Sequence, residues 1–188
     1  PEYGLYANGF YFFIFNFPTD YPFSPPIVEY CTNDGSTRFN PNLYRQGKVC
    51  LSILNTWSGD SWTACQTIRS VLLQLLLLFN DKPLLNEPGV TESHADYINY
   101  NTIIQYKNIS YSIYLQFVNN SPLLLNRYFK DEIKQHIQSK INDIHNTCKK
   151  LKEIYPKSRV VKTKLYNMST IIDYNQLTNK IDLLKQTF

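Results

Sequence analysis

Four prolines fall within the nine residues PTDYPFSPP (18–26). Each proline fixes φ and removes a backbone donor, so this stretch must be an ordered, extended loop rather than part of a helix. The runs on either side, FYFFIFNF (10–17) and IVEYC (27–31), are rich in aromatic and β-branched residues, which favour strands. We therefore predict two strands of a small antiparallel sheet, joined by this loop.

A long apolar segment, TIRSVLLQLLLLFN (67–80), comes later in the chain. It is too long for a buried strand, and its apolar residues recur at helical spacing. The predicted stripe consists of Val71, Leu72, Leu75, Leu76 and Phe79. This pattern indicates a central core helix, after which NEPGVTES (86–93) breaks the chain.

Helical spacing dominates the second half of the chain, and strand-like runs largely disappear. Ser121-Pro122 offers an N-cap followed by proline at the first helical position, and Tyr155-Pro156 ends the pattern. Flanking helices are predicted near 95–118 and 170–186. The long apolar stripe comprises Ile133, Ile137, Ile141, Ile144, Cys148 and Leu151.

The composition fits a folded protein, because 43% of the residues are hydrophobic and only 18% are charged. We predict an α+β fold. The predicted arrangement is a small antiparallel sheet with a core helix, followed by a helical C-terminal region. The formal charge of +4 is modest and does not by itself imply a nucleic-acid partner.

The four cysteines, Cys31, Cys50, Cys65 and Cys148, contain no CxxC pair, so a zinc site or a thioredoxin-type motif has little support. Their spacing does not resemble a secreted disulfide framework. No signal peptide is evident, and the apolar run 71–79 is about half the length that crosses a bilayer. We expect reduced thiols and an intracellular protein, cytoplasmic or nuclear, with no membrane partner.

The stretch FNPNLYRQGKVCLSIL (39–54) places Cys50 just after a turn. A nucleophilic thiol must be exposed and partly ionisable, and a segment after a turn can present it in a shallow groove. The three histidines, His94, His136 and His145, lie far along the chain, so a Cys–His protease pair has no local support. A thiol without a nearby base suits a thioester carrier better than a hydrolase.

Transfer of an acyl group from such a carrier to an amine passes through a tetrahedral oxyanion, which a side-chain amide can stabilise. Asn42, eight residues before Cys50 and fixed by Pro41, is the candidate amide. A tyrosine and a carboxylate could orient and deprotonate the incoming lysine. Tyr44 and Glu87 are available for this, provided that the loop at 86–89 folds back over the cysteine.

These motifs together resemble the ubiquitin-conjugating enzyme family. The resemblance rests on YPFSPP (21–26), NPN (40–42), the cysteine eight residues after the NPN asparagine, Trp62 and NEPG (86–89), in this order. It covers about residues 4–90. The resemblance implies an antiparallel β-meander sheet packed on helices as a core domain at 1–90, N-terminally incomplete, with a helical C-terminal extension at 91–188. The sequence is most similar to the larger members with a helical C-terminal extension, such as the Z type.

The resemblance implies a role for each matching residue. Cys50 corresponds to the thioester-forming cysteine and Asn42 to the oxyanion-stabilising asparagine, while Tyr44 lines the lysine path and Glu87 orients the lysine. The residues implied to bind a ligase are Phe23, Trp62, Thr63, Ala64 and Cys65. Implied partners are ubiquitin or a ubiquitin-like protein, an ATP-using activating enzyme, a ubiquitin ligase and protein substrates. No metal or organic cofactor is implied.

The sequence departs from the family pattern in four places. Asn40 replaces the usual His, which supports the loop rather than taking part in the chemistry. Ala64 replaces a common Pro, and TNDGST (32–37) lengthens the loop before Phe39. The family's N-terminal helix and first strand should precede Tyr3, and this sequence begins without them. Either the sequence is a fragment, or the protein dispenses with that element.

Three alternatives remain open. One is a non-enzymatic conjugating-fold module that binds ubiquitin or scaffolds a ligase. Another is a cysteine hydrolase or acyltransferase of another fold, which would need a histidine near Cys50 in space. The third is nucleic-acid binding through KKLKEIYPKSRVVKTK (149–164), where seven Lys or Arg residues stand against one Glu. A solvated helix end and loop is the preferred interpretation there, so nucleic acid is not an expected partner.

Overall fold

The computed structural model describes residues 3–118 and 124–188. The chain divides into two compact units. The first, the N-terminal unit, is Tyr11–Tyr97, and the second, the C-terminal unit, contains the residues up to Phe10 together with Ile98–Phe188. The predicted domain boundary between residues 90 and 91 stays a prediction.

The predicted antiparallel strands are present in the N-terminal unit. Strand β1 (Phe13–Asn16) pairs with β2 (Ile27–Tyr30), so that Phe13 lies opposite Tyr30. Both strands lie within the predicted runs, and the proline-rich loop joins them. The antiparallel strand pair and the helix that this unit contains confirm the predicted α+β class.

A glycine lies beside the end of β2 and begins the segment that leads to the cysteine. The backbone N–H of Tyr30 donates to the carbonyl oxygen of Gly47 over 2.7 Å, and Glu29 forms an isolated antiparallel bridge with Lys48. Gly47 has φ +92°, and a Cβ there would fall 2.8 Å from the Cγ of Glu29. Only glycine adopts this backbone readily and leaves room for Glu29.

Helix α1 (Ile68–Leu78) starts at a capping box formed by Thr67 and Ser70. Its buried residues are Val71, Leu75 and Leu78. The predicted stripe is wrong at two positions, because Leu72 and Leu76 are 46% and 60% exposed. In a run this rich in leucine almost every position is apolar, so the pattern could not show which face packs inwards.

Helices make up most of the C-terminal unit. Helix α2 (Tyr97–Lys107) begins at the last residue of the N-terminal unit and continues as a π-helix (Asn108–Leu115). After a 3₁₀ turn (Leu124–Phe129) come helix α3 (Lys130–Ile154) and helix α4 (Tyr174–Lys185), which pack on each other. The predicted helix start at Ser121-Pro122 lies outside the described residues.

The long stripe on α3 is confirmed. Its members are all at least 93% buried: Ile133, Ile137, Ile141, Ile144, Cys148 and Leu151. The helix ends at Ile154, directly before the Tyr155-Pro156 pair that marked its predicted end. No helix in the part of the chain that the structure describes has the length and apolar character to cross a membrane.

A hairpin in the C-terminal unit contradicts the expectation that strands largely disappear there. Strand β3 (Arg159–Thr163) pairs with β4 (Met168–Ile172) across a 3₁₀ turn (Leu165–Asn167). Residues 159–163 are thus a strand and not the loop predicted for the basic stretch. Alternate residues of β4 are buried, the period-2 pattern of a strand with one covered face.

Cys148 and two tyrosines lie together in the core of the C-terminal unit. Burial raises the pKa of Cys148 from 9.0 to about 12, with a smaller contribution from Asp182. Burial also raises the pKa values of Tyr106 and Tyr174. Folding therefore favours the protonated forms of these three groups.

We expect the free energy of unfolding to fall in alkaline solution because of Cys148. Its pKa is raised in the folded state, so its contribution is fully present below about pH 9 and is lost as the pH rises towards 12. The loss should reach about 1 kcal/mol between pH 7 and pH 10. Urea unfolding at both pH values measures it, and Cys148→Ala should reduce the difference. Parallel losses in the variant and the wild type would contradict the assignment.

Candidate active site

Two reciprocal hydrogen bonds clamp Asn42 to Cys50. The backbone N–H of Cys50 donates to the carbonyl oxygen of Asn42 over 2.9 Å. In return, the side-chain Nδ2 of Asn42 donates to the carbonyl oxygen of Cys50 over 2.7 Å. The structure therefore brings the two residues together, as their spacing predicted.

The side chain of Asn40 links the Asn42 backbone to the end of α1. This fully buried side chain donates from Nδ2 to the carbonyl oxygen of Leu78 at the end of α1, over 2.8 Å. Its Oδ1 accepts the backbone N–H of Asn42 over 2.9 Å. Each of these bonds satisfies a main-chain group that would be costly to leave unpaired. Asn40 thus supports the loop.

The cysteine lines an open cavity of about 290 Å³. The lining consists of Asn42, Cys50, Leu51, Ser52, Trp57, Gln74, Leu77, Leu78 and Asn86. Of the described residues, those on this lining include no histidine, aspartate or glutamate. The polar groups around the thiol are therefore neutral amides, a hydroxyl and an indole.

The expectation of an exposed thiol is wrong in its extent, because Cys50 is only 2% exposed. It lies between the buried residues Val49 and Leu51, and its main-chain N–H and carbonyl are both hydrogen-bonded to Asn42. Cys50 is thus part of the wall of the cavity rather than a projecting side chain.

The two predicted rim residues are not part of the cavity lining. The ring of Tyr44 lies under the guanidinium of Arg38, whose central carbon is 3.3 Å from the ring centroid. Glu87 follows the 3₁₀ helix Pro83–Asn86, and its backbone N–H donates to Leu84. The loop at 86–89 does reach the cavity, but through Asn86.

Asn86 and Trp57 are cavity residues that the sequence reasoning missed as site residues. Trp57 is 48% exposed. The sequence signal for Asn86 was its place directly before Glu87 in the NEPG motif (86–89). The site role in this motif was assigned to the carboxylate of Glu87 and not to the amide beside it.

The predicted ligase-binding residues are mostly exposed. Phe23 is 79% exposed, and Thr63, Ala64 and Cys65 are exposed as well. Trp62 is the exception at 7% exposure, since its indole Nε1 donates to the carbonyl oxygen of Pro22 over 2.7 Å. Trp62 therefore ties the two predicted ligase loops together, and the ligase contact of all five residues stays a prediction.

The N-terminal unit thus combines an α+β fold with an asparagine clamped to a cysteine at an open cavity, and a comparison with known families identifies the class of protein. The family model described as ubiquitin-conjugating enzyme matches residues 1–118. The chain belongs to the ubiquitin-conjugating enzyme family.

Individual relatives make the similarity more specific. The human ubiquitin-conjugating enzyme E2 Z is 45% identical over 111 residues, which cover 57% of this chain and 31% of the relative. The probable ubiquitin-conjugating enzyme protein 17 of Caenorhabditis elegans is 38% identical over 148 residues, covering 73% of this chain and 20% of that protein. The probable ubiquitin-conjugating enzyme E2 26 of Arabidopsis thaliana is 34% identical over 162 residues, with 84% and 30% covered. The chain thus spans about a third or less of the length of these relatives.

Proposed function

We propose that the chain carries ubiquitin or a ubiquitin-like protein as a thioester on Cys50 and passes it to lysine amines, directly or through a ligase. The observation that supports this most is the Asn42–Cys50 clamp at the wall of an open cavity. A carrier needs a thiol beside an amide donor, and the family of the chain supplies the class of reaction.

The reaction has two steps. The Cys50 thiolate attacks the carbonyl carbon of the activated modifier supplied by an ATP-using activating enzyme, and the leaving group departs from that carbon. The lysine nitrogen then attacks the thioester, a C–N bond forms, and the C–S bond breaks to return the thiolate. The proton released by the amine goes to water. An oxyanion forms after the lysine nitrogen attacks and before the C–S bond breaks. One N–H of the Asn42 amide donates to the carbonyl of Cys50, and the other N–H is the proposed donor to this oxyanion.

The neutral lining of the cavity favours storage of the thioester over hydrolysis. A hydrolase activates water with a general base, and the described lining residues include no histidine or carboxylate. Water that enters the cavity therefore stays a weak nucleophile, whereas an uncharged amine attacks without such help.

We further propose that no metal or organic cofactor takes part, since the chemistry needs only the thiol and an amide. The proposed partners are the activating enzyme, a ubiquitin ligase that docks on Phe23 and on Thr63, Ala64 and Cys65, and protein substrates. The proposed location is intracellular, in the cytoplasm or nucleus, without a membrane or nucleic-acid partner.

A charging assay tests the proposal. The chain, and any longer form that its gene encodes, is incubated with ATP and several pairs of activating enzyme and modifier. We expect an adduct on a non-reducing gel that disappears when a thiol reductant is added. If no pair yields an adduct, the carrier function is excluded.

The 2% exposure of Cys50 favours a second candidate, a conjugating-fold module that binds ubiquitin or a ligase without chemistry. Such a module would bind ubiquitin noncovalently and give no adduct. The charging assay separates the two candidates, because only the carrier forms a covalent species that a reductant removes.

A further inference from the structure

We propose that Asn86 is the residue that receives the substrate amine at Cys50. The inference rests on the proposed function, since it concerns the second step of that reaction. Asn86 lines the same cavity as Asn42 and Cys50. It occupies the position in the cavity at which a carboxylate from Glu87 was expected.

The backbone of Asn86 is held by a small anchored element. Asn86 is the last residue of the 3₁₀ helix Pro83–Asn86, whose first two residues are buried. The backbone N–H of Glu87 closes the element by donating to Leu84 over 3.1 Å. The backbone that carries Asn86 at the cavity is therefore held in place.

The side-chain amide of Asn86 is oriented by a second asparagine. Its Nδ2 donates to the Oδ1 of Asn40 in a long hydrogen bond of 3.5 Å. The same oxygen of Asn40 accepts the backbone N–H of Asn42. The nitrogen and the oxygen of an amide are bonded to the same carbon and point in different directions. With Nδ2 directed at Asn40, the Oδ1 of Asn86 therefore points away from Asn40. Among the described contacts this Oδ1 has no protein partner, so it is free to accept a hydrogen bond.

An acceptor in this position matches an uncharged lysine amine. The amine donates one N–H to the Oδ1 of Asn86 and keeps its lone pair for the thioester carbon on Cys50. When the C–N bond forms, the electron pair of the C–S bond returns to sulfur and the surplus proton leaves to water. A neutral amide orients the amine without taking its proton, so the transfer rate should rise with pH as more of the lysine becomes uncharged.

The test is single-turnover discharge of the purified thioester onto free lysine. We expect Asn86→Ala to lower the second-order rate constant for lysine about tenfold, the effect of one lost hydrogen bond. The loss should appear as a smaller slope of the discharge rate against lysine concentration. Charging and the slow hydrolysis of the thioester in the absence of lysine should stay at wild-type rates.

Two further variants separate amine binding from support of the loop. Asn86→Asp keeps an acceptor oxygen but loses the Nδ2 bond to Asn40, so it should recover only part of the lysine rate. Leu85→Ala, on the same element but outside the cavity lining, is the matched control and should discharge normally. An equal fall of hydrolysis and lysine discharge in Asn86→Ala would assign a structural role and overturn the inference. Wild-type discharge by that variant would overturn it too, with the carrier function intact. Failure of the wild type to charge would overturn both.

Discussion

Replacing Cys50 by alanine should abolish formation of the reductant-sensitive adduct with the modifier. In the proposed reaction the sulfur of Cys50 forms the C–S bond, and the described lining of the cavity contains no second thiol that could replace it. The fold should tolerate the change, because the main-chain bonds between Asn42 and Cys50 do not involve the sulfur. Charging followed on a non-reducing gel measures the effect.

Two variants make this result specific. Cys50→Ser should form, more slowly, an oxygen ester that survives reductant, because the hydroxyl occupies the position of the thiol. Cys65→Ala is the matched control, since Cys65 is exposed on a neighbouring loop and should charge like the wild type. A normal adduct on Cys50→Ala, or its loss on Cys65→Ala, would move the acyl site away from Cys50.

Asn42→Ala should spare charging and slow transfer to lysine about a hundredfold, the effect of removing one oxyanion donor. Its Nδ2 already donates to the carbonyl of Cys50, so the substitution also loosens the segment that carries the thiol. The Oδ1 of Asn42 is buried without a partner among the described residues, and its removal with the side chain therefore costs no hydrogen bond. Single-turnover discharge onto lysine, after complete charging, measures the effect.

A matched control for Asn42→Ala lies in the C-terminal unit. The Nδ2 of Asn99 donates to the carbonyl oxygen of Lys162 over 3.0 Å, a bond of the same kind. Asn99→Ala should transfer normally, which shows that losing an asparagine bond to the main chain is not enough to slow the reaction. Transfer by Asn42→Ala at the wild-type rate would remove the oxyanion assignment.

The features that could be predicted from the sequence depend on strong local signals. Prolines exclude regular structure between residues 18 and 26, and the aromatic runs beside them form the strands β1 and β2. The clamp between Asn42 and Cys50 followed from a short spacing across a turn. The stripe on α3 was equally clear, because its isoleucines stand among polar residues that mark the opposite face.

The features that could not be predicted depend on tertiary packing. The buried face of α1 was ambiguous, since Leu72 and Leu76 are as apolar as the residues that pack. The strands β3 and β4 have only five residues each. The many lysines around β3 made its alternation of buried and exposed residues hard to recognise in the sequence. The position of Asn86 in the cavity depends on how the loop at 86–89 folds back, which no local pattern encodes.

The close approach at Gly47 has a consequence for how this protein can vary. The segment that leads to Cys50 turns at a single residue with φ +92°, against the side chain of Glu29 and the carbonyl oxygen of Tyr30. Any other residue type would meet both a backbone strain and a steric conflict there. In a library that places every amino acid at position 47, we therefore expect glycine to be the residue that keeps the protein folded and active. This holds although Gly47 has no side chain and takes no part in the chemistry.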